Sequence, residues 1–308
     1  MNPKHLDLTD IVLLQMLLSD SRASYREMAD FLRTTPDEVE DRIRTMVQLG
    51  VLRSFVVRFR PEHLGAVGIF VYGNSEITKL EEAVARLCQN NATSWLGIGT
   101  GGRIYIGALL RRLSHLDSYI SFLKEEGIKE LVFGIRTPPP NKSREALELN
   151  EIDMRIIRAL RIDARKSSFE MAKELGYDVE LIENRIKRMR EGGAIDFSIT
   201  LSPEATSDIL CMFHVYHKVG MPLREFMRTK LNEHSPNILS FNAFRNLPDL
   251  ITALAWVRDM SELRIIKSSL EGAEGIERVE ANILLTSRTT ETWADAIIKE
   301  STIKRKFD

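Results

Sequence analysis

The feature that most constrains this 308-residue chain is that it repeats itself. Asp20-Ser21-Arg22 and Asp163-Ala164-Arg165 stand 143 positions apart. At the same offset, without a gap, Asp10 matches Asp153, Met28-Ala29 matches Met171-Ala172, Arg42-Ile43 matches Arg185-Ile186, Met46 matches Met189 and Gly50 matches Gly193. A register held from Asp10 to Gly50 is the mark of a duplicated unit, so whatever one copy folds into, the other folds into as well. Between the copies runs Thr137-Pro138-Pro139-Pro140-Asn141-Lys142-Ser143, where successive prolines lack donor N–H groups and favour an extended linker. The halves are thus 1–137 and 144–308.

Each half opens with helical periodicity. Ile11, Leu14, Leu17 and Leu18 make one apolar stripe, Met28, Phe31 and Leu32 a second, and Val39, Ile43, Met46 and Leu49 a third, which predicts three short helices. Thr35-Pro36-Asp37-Glu38 predicts the start of the third, with Thr as cap, Pro in the first turn and Glu reaching back to the cap amide. That helix stops at Gly50 and its counterpart, capped by Asp178, at Gly192-Gly193, where a left-handed residue costs least as glycine. The period then changes to two: Val51, Arg53, Phe55, Val57 and Phe59 alternate with Leu52, Ser54, Val56 and Arg58, and Ile195, Phe197 and Ile199 repeat the pattern. Three helices and a strand read as a helix-turn-helix with a wing. The rest of each half alternates strand and helix in the order β-α-β-β-α-β, a ferredoxin-like unit whose sheet is apolar on its helix side and whose other face seeks a partner sheet.

The fold class expected is α+β, two winged helix-turn-helix modules (1–60 and 147–201), each followed by a ferredoxin-like βαββαβ regulatory domain (64–137 and 207–287). A Pro-rich linker occupies 138–146, and a C-terminal helix with the basic tail Lys304-Arg305-Lys306 occupies 288–308.

Composition narrows the class of function. At 44% apolar and 28% charged residues the chain is globular rather than disordered. With a net charge of only −1, affinity for a nucleic acid must come from locally clustered Lys and Arg. Cys88 and Cys211 sit in apolar runs without a CxxC spacing, as reduced thiols do. Met1 to Asp10 lacks a signal pattern, and no stretch reaches the ~20 apolar residues of a membrane span, so a cytoplasmic protein with no membrane partner is expected.

The quoted residues resemble the Lrp/AsnC (feast/famine) family of transcription regulators. The second copy carries the clearer match, through Asp153, Ile156-Ile157-Arg158-Ala159-Leu160, Asp163-Ala164-Arg165, Met171-Ala172, Leu175-Gly176, Val179, Arg185-Ile186, Met189 and Gly193-Ala194-Ile195. The first keeps Leu8-Thr9-Asp10, Asp20-Ser21-Arg22, Met28-Ala29, Val39, Arg42-Ile43 and Gly50-Val51-Leu52. The resemblance implies a regulatory domain of the AsnC type in each half and sequence-specific binding of double-stranded DNA. Family members are single units that dimerise, so this chain looks like a covalent pseudo-dimer whose two regulatory sheets face each other, with self-association through those domains.

A recognition helix offers side chains to base edges while neighbouring amides and cations hold phosphates. In the second copy Asn184, Arg185, Lys187, Arg188 and Arg190 form the cluster, whereas the first offers Arg42 and Arg44 beside Asp37, Glu38, Glu40 and Asp41. The second head is therefore expected to dominate, with Arg185→Glu costing more DNA affinity than Arg42→Glu. Ser24, Tyr25 and Arg26, with Ser167, Ser168 and Phe169, stand where helix N-termini attract anions.

Gly97-Ile98-Gly99-Thr100-Gly101-Gly102 lacks the following helix of a nucleotide-binding loop and reads as a glycine-rich connection between strands. The resemblance places an amino-acid-like effector near this loop, which makes Gly99, Thr100, Gly101, Gly102 and Arg103, with Asn246 and Asp249 of the second half, the candidate contacts. His214 and His217, three apart on a strand, point to opposite faces and do not make a metal pair. Trp95, Trp256 and Trp293 read as packing residues. Sirohaem decarboxylases share a similar fold, but their Phe-Pro-Leu stretch after the first helix is missing here, and the corresponding residues match regulators instead. Neither catalysis nor a cofactor is expected. A scaffold that has lost DNA binding is the other alternative, motivated by the acidic third helix of the first copy.

Overall fold

The computed structural model describes residues 5–60, 66–75, 80–136, 147–234 and 236–299; the linker at 138–146 and the basic tail lie outside them. In chain order the first half is α1 (Leu8–Ser19), α2 (Tyr25–Leu32), α3 (Pro36–Gln48), β1 (Leu52–Phe59), β2 (Val67–Ser75), α4 (Leu80–Gln89), β3 (Thr93–Gly99), β4 (Arg103–Leu110), α5 (Leu116–Glu125) and β5 (Ile128–Ile135). The second half is α6 (Glu151–Ile162), α7 (Ser168–Leu175), α8 (Val179–Glu191), β6 (Ile195–Leu201), β7 (Ile209–His217), α9 (Leu223–Glu233), β8 (Ile238–Ala243), β9 (Leu250–Val257), α10 (Met260–Glu271) and β10 (Ile276–Thr289), closed by α11 (Trp293–Lys299).

Local chemistry sets the helix ends. Ser24 with Glu27 and Ser167 with Glu170 form the same capping box at the starts of α2 and α7, and Asp7 with Asp10 and Asn150 with Asp153 do so at α1 and α6. Thr35 caps α3 through the Glu38 amide, but the Glu38 carboxylate turns to Thr34 and Arg42 rather than back to the cap. Asp178 stands at the cap of α8 without a side-chain hydrogen bond. Gly50 and Gly193 both adopt positive φ where helix gives way to strand.

The strand that follows each third helix pairs with its counterpart from the other copy. β1 pairs antiparallel with β6 in a two-stranded sheet, Phe55 opposite Ile199 and Val56 opposite Ser198. At the 143-residue offset the counterpart of Phe55 is Ser198 and that of Val56 is Ile199, so the pairing is its own mirror under the duplication and marks a pseudo-twofold axis. Side chains are exchanged across it: Val57 of β1 is buried in the core of the second head, and Ile199 of β6 in that of the first. The loops before α2 and α7 lock the same way. Arg22 donates to the carbonyls of Ala164 and Lys166, while Arg165 donates to those of Ser21 and Ala23 and to the Tyr25 hydroxyl. The heads are thus one interlocked body.

The regulatory units fuse similarly. Their strands form one eight-stranded sheet in the order β5-β2-β4-β3-β10-β7-β9-β8, joined where β10 pairs with β3. Its outer strands also meet: Arg136 bridges Phe244, the Arg245 amide donates to the Ile135 carbonyl, and Phe244 lies so close over Gly134 that any side chain there would collide with its ring. The sheet therefore closes into a barrel. Its outward residues, such as Ile69, Val71, Ile104 and Ile106 in one half and Cys211, Phe213, Ile251 and Ala253 in the other, are buried beneath the helices. Its inward residues, among them Phe70, Tyr72, Tyr105, Met212, Leu250 and Trp256, fill the lumen. The two sheets do face each other within one chain, as edges of a single closed surface.

Candidate nucleic-acid interface and barrel lumen

The third helices present their cations very unequally to solvent. Arg42 on α3 is consumed by three carboxylates, donating to Asp7 at 2.7 Å, Asp10 at 2.9 Å and Glu38 at 3.1 Å. Arg44 lies across Glu40 and Asp41. On α8, Arg185 and Arg188 both reach Asp153, at 3.5 and 2.6 Å, and that carboxylate is fully buried. Arg190 pairs with Asp20 across the two heads and stacks over Phe197. Lys187 is the exception: its side chain is 72% exposed and its ion-pair partner, Glu191, stands 4.0 Å away. Asn184 is exposed one turn earlier. Lys187 is thus the most exposed of the α8 cations expected to meet DNA, with Asn184 exposed beside it.

This revises the expected test of the heads. Asp10 and Asp153, like Arg42 and Arg185, are repeat partners, and each Asp–Arg pair ties a head's first helix to its third. Placing Glu at 185 would set a carboxylate against buried Asp153, so lost DNA binding would report a damaged fold. Both partners recur in both copies, but the sequence reading took the arginines for DNA contacts and did not foresee the pairing.

The helix N-termini carry less than their position suggested. The Ser24 and Ser167 hydroxyls are occupied by their capping boxes. Tyr25 accepts from Arg165 and lies under its guanidinium. Arg26 and Phe169 are exposed, and Ser168 is half-buried.

In the regulatory body, Thr100-Gly101-Gly102 form a 3-10 turn between β3 and β4, left-handed at Gly101 and Gly102, that delivers Arg103 to the start of β4. Arg103 lies over the Tyr72 ring, 5.7 Å from its centre. Asn246 lies at the closing seam, its side chain spent on the Ile135 amide and the Phe133 carbonyl, and Asp249 uses its carbonyl to hold the His217 amide. These candidate contacts are distributed over two places rather than gathered in one.

The sequence reading missed a polar cluster in the lumen. His214 of β7 is fully buried, with ring centres 4.4 Å from Tyr72 and 5.6 Å from Tyr105. β2 and β7 are four places apart in an eight-stranded order, so these contacts cross the barrel. His217 falls on the other face of β7, as its spacing required, and its Nδ1 meets the Lys218 carbonyl. Burial, with Arg103 and Arg278 nearby, lowers the His214 pKa from 6.5 to about 4. An unfolded chain takes up that proton as pH falls through 6.5, the folded one only near 4, so stability present above pH 6.5 is lost on the way down. About 2 kcal/mol should disappear between pH 7.5 and 5 from this source. Urea unfolding of wild type and His214→Phe at those two pH values checks it: the variant should lose less stability by about that amount, and parallel losses would refute the assignment.

The paired heads, with a third helix on each and an interlocked strand between them, define a helix-turn-helix protein built as two copies in one chain. Residues 149–190 match the model of the AsnC-type helix-turn-helix domain, and residues 6–53 match that of a winged helix-turn-helix DNA-binding domain. An uncharacterized HTH-type transcriptional regulator of Pyrococcus furiosus is 30% identical over 136 residues, 43% of this chain and 92% of the relative, and one from Pyrococcus horikoshii is 29% identical over 43% and 86%. The chain belongs to the Lrp/AsnC family of helix-turn-helix regulators. Its whole length also superposes on the siroheme decarboxylase NirDL with a TM-score of 0.61, covering 96% of this chain and 98% of that one at 12% identity, a likeness of fold. Among the described residues no helix is long and apolar enough to cross a membrane.

Proposed function

We propose that this chain is a non-enzymatic transcription regulator that binds double-stranded DNA through its paired heads, with the second head dominant. The observation that carries this reading is the contrast between the third helices. α8 exposes Lys187 and Asn184 and holds Arg185, Arg188 and Arg190 close behind them, whereas α3 places Asp37, Glu38, Glu40 and Asp41 ahead of and around its two arginines. Carboxylates in the first turn support the helix dipole but repel a phosphate backbone. A pseudo-twofold pair of unequal heads calls for an imperfectly palindromic site.

Gel-shift with random duplex DNA at low and high salt tests this. Binding must fall steeply as salt rises, and selection should return sites whose half-sites differ in information content. Failure to bind duplex in dilute buffer would overturn the regulator reading and leave the scaffold and tetrapyrrole readings. The tetrapyrrole reading is weighed in the same preparation: NirDL's name makes it a siroheme decarboxylase and its solved complex holds an iron-uroporphyrin III analogue. Titration of this chain with such a compound is expected to leave its absorbance unchanged.

A further inference from the structure

The duplicated heads differ where the first helix meets the third. In the second head Arg188 of α8 reaches back to α6, donating to Asp153 Oδ2 at 2.6 Å and to the Glu148 carbonyl at 3.4 Å, and Leu147 lies against Gly192 beside it. At the 143-residue offset Arg188 becomes Thr45 and Gly192 becomes Leu49. The Thr45 hydroxyl is spent on the Asp41 carbonyl of its own helix, at 2.8 Å. The place that a guanidinium fills in one copy is, in the other, an open cleft of about 790 Å³ walled by Asp10, Glu38, Asp41, Arg42 and Thr45.

The missing guanidinium sets the chemistry of that cleft. Asp153 Oδ2 takes two donors, the Asn150 amide and Arg188, whereas Asp10 Oδ2 takes only the Asp7 amide, at 3.1 Å, among the described residues. A carboxylate oxygen has two acceptor sites, so Asp10 keeps one open where it lines the cleft. Burial outweighs the nearby Arg42 and raises the Asp10 pKa, the condition of a carboxylate short of counter-charge. The acidity belongs to the first copy alone, since Glu38 and Asp41 stand where the second has Leu181 and Asn184. Three carboxylates thus face one guanidinium, that of Arg42, across the cleft. Arg44 pairs with Asp41 but is shared with Glu40, so the excess of negative charge stands. His5, which also lines the cleft, is turned to Asp208 at 2.7 Å.

We propose that this cleft binds a small alkylguanidinium cation without a carboxylate, its planar group on Asp10 and its carbon chain along Leu6, Met46 and Leu49. The second head is the template: the matching carboxylate, on the matching helix, already holds such a group at hydrogen-bond distance. A guanidinium suits the place better than an ammonium, because its fork of donors meets a carboxylate while its weakly hydrated flat face rests on apolar side chains. Glu38 and Asp41 attract a cationic far end and repel a carboxylate, which separates this ligand from arginine itself. The site does not rest on the DNA reading. Where that reading holds, the bound cation offsets part of the negative charge that sets α3 against a phosphate backbone.

Isothermal titration of the full chain with agmatine tests it, with arginine and putrescine as comparators. Agmatine should bind, arginine about tenfold or more weakly because of its carboxylate, and putrescine about tenfold or more weakly because it lacks the guanidinium. Thr45→Arg restores to the first head the side chain that the second already has. It should abolish agmatine binding while the melting temperature holds or rises, since the exposed Thr45 gives way to an internal Asp10 partner. Asp10→Asn gives a second readout and should weaken agmatine about tenfold. No heat at millimolar agmatine, binding of putrescine as tight as that of agmatine, or full affinity in both variants would overturn the proposal.

Discussion

Replacing Lys187 by Glu is expected to weaken duplex binding about tenfold at fixed salt and to lower the slope of log affinity against log salt by about one, whereas Arg44→Glu should cost less than about threefold. The contrast follows from what each side chain does in the free protein. Lys187 is 72% exposed and touches Glu191 only at 4.0 Å, an interaction worth little at a surface, so its reversal leaves the fold intact. Arg44 is already balanced by Glu40 and Asp41, and the positions around it are acidic, so it begins with little phosphate contact to lose. Fluorescence anisotropy with one labelled duplex over a salt series measures both effects. Equal losses at the two positions would refute the ranking of the heads, and no loss at Lys187 would place the contact elsewhere.

Much of the architecture was legible because the repeat applied every local signal twice. Ser24 with Glu27 and Ser167 with Glu170 cap equivalent helices, and the alternation of strand and helix in each regulatory unit gave its element order. The destination of the strand after each third helix was not legible. Period-two alternation says that Phe55 and Val57 lie on one face, but it is silent on whether the partner is a hairpin arm or the other copy. Closure of the barrel was hidden for the same reason, since a seam of Arg136, Phe244 and Gly134 leaves no periodic trace.

The candidate site was legible as residue types and not as roles. Arg42, Arg185 and Arg188 read as DNA contacts because third helices carry such cations, but their guanidiniums are turned inward to Asp10 and Asp153. Sequence gives the helix face and not the competition among carboxylates within reach. His214 drew notice only as half of a metal pair with His217. Its true neighbours, Tyr72 and Tyr105, come from strands on the far side of the barrel, which no spacing along one strand can reveal.

Asp153 is where the fold and the proposed function meet, and Asp153→Ala should destabilise the chain by about 2–3 kcal/mol, the cost of losing charge-assisted hydrogen bonds to arginines that stay partly solvated. The carboxylate is fully buried; it closes the cap of α6 by accepting from the Asn150 amide at 3.0 Å and holds Arg188 at 2.6 Å and Arg185 at 3.5 Å. Its loss would open the capping box and strand two guanidiniums beside a buried surface. Asp10, its repeat partner, is 17% exposed and shares Arg42 with Asp7 and Glu38, so Asp10→Ala leaves that arginine two carboxylates and should cost only about 1 kcal/mol. Denaturant unfolding of both variants separates the cases, and equal costs would show that Asp153 is no keystone of the second head. Because the two arginines it holds belong to α8, Asp153→Asn tests the link to function. It preserves volume and one acceptor while removing the charge, so it should loosen α8 against α6 and weaken duplex binding although the residue is itself inaccessible to DNA. A variant that loses stability yet binds DNA as wild type would break that link, and would mean that α8 needs no anchoring to α6 to engage the duplex.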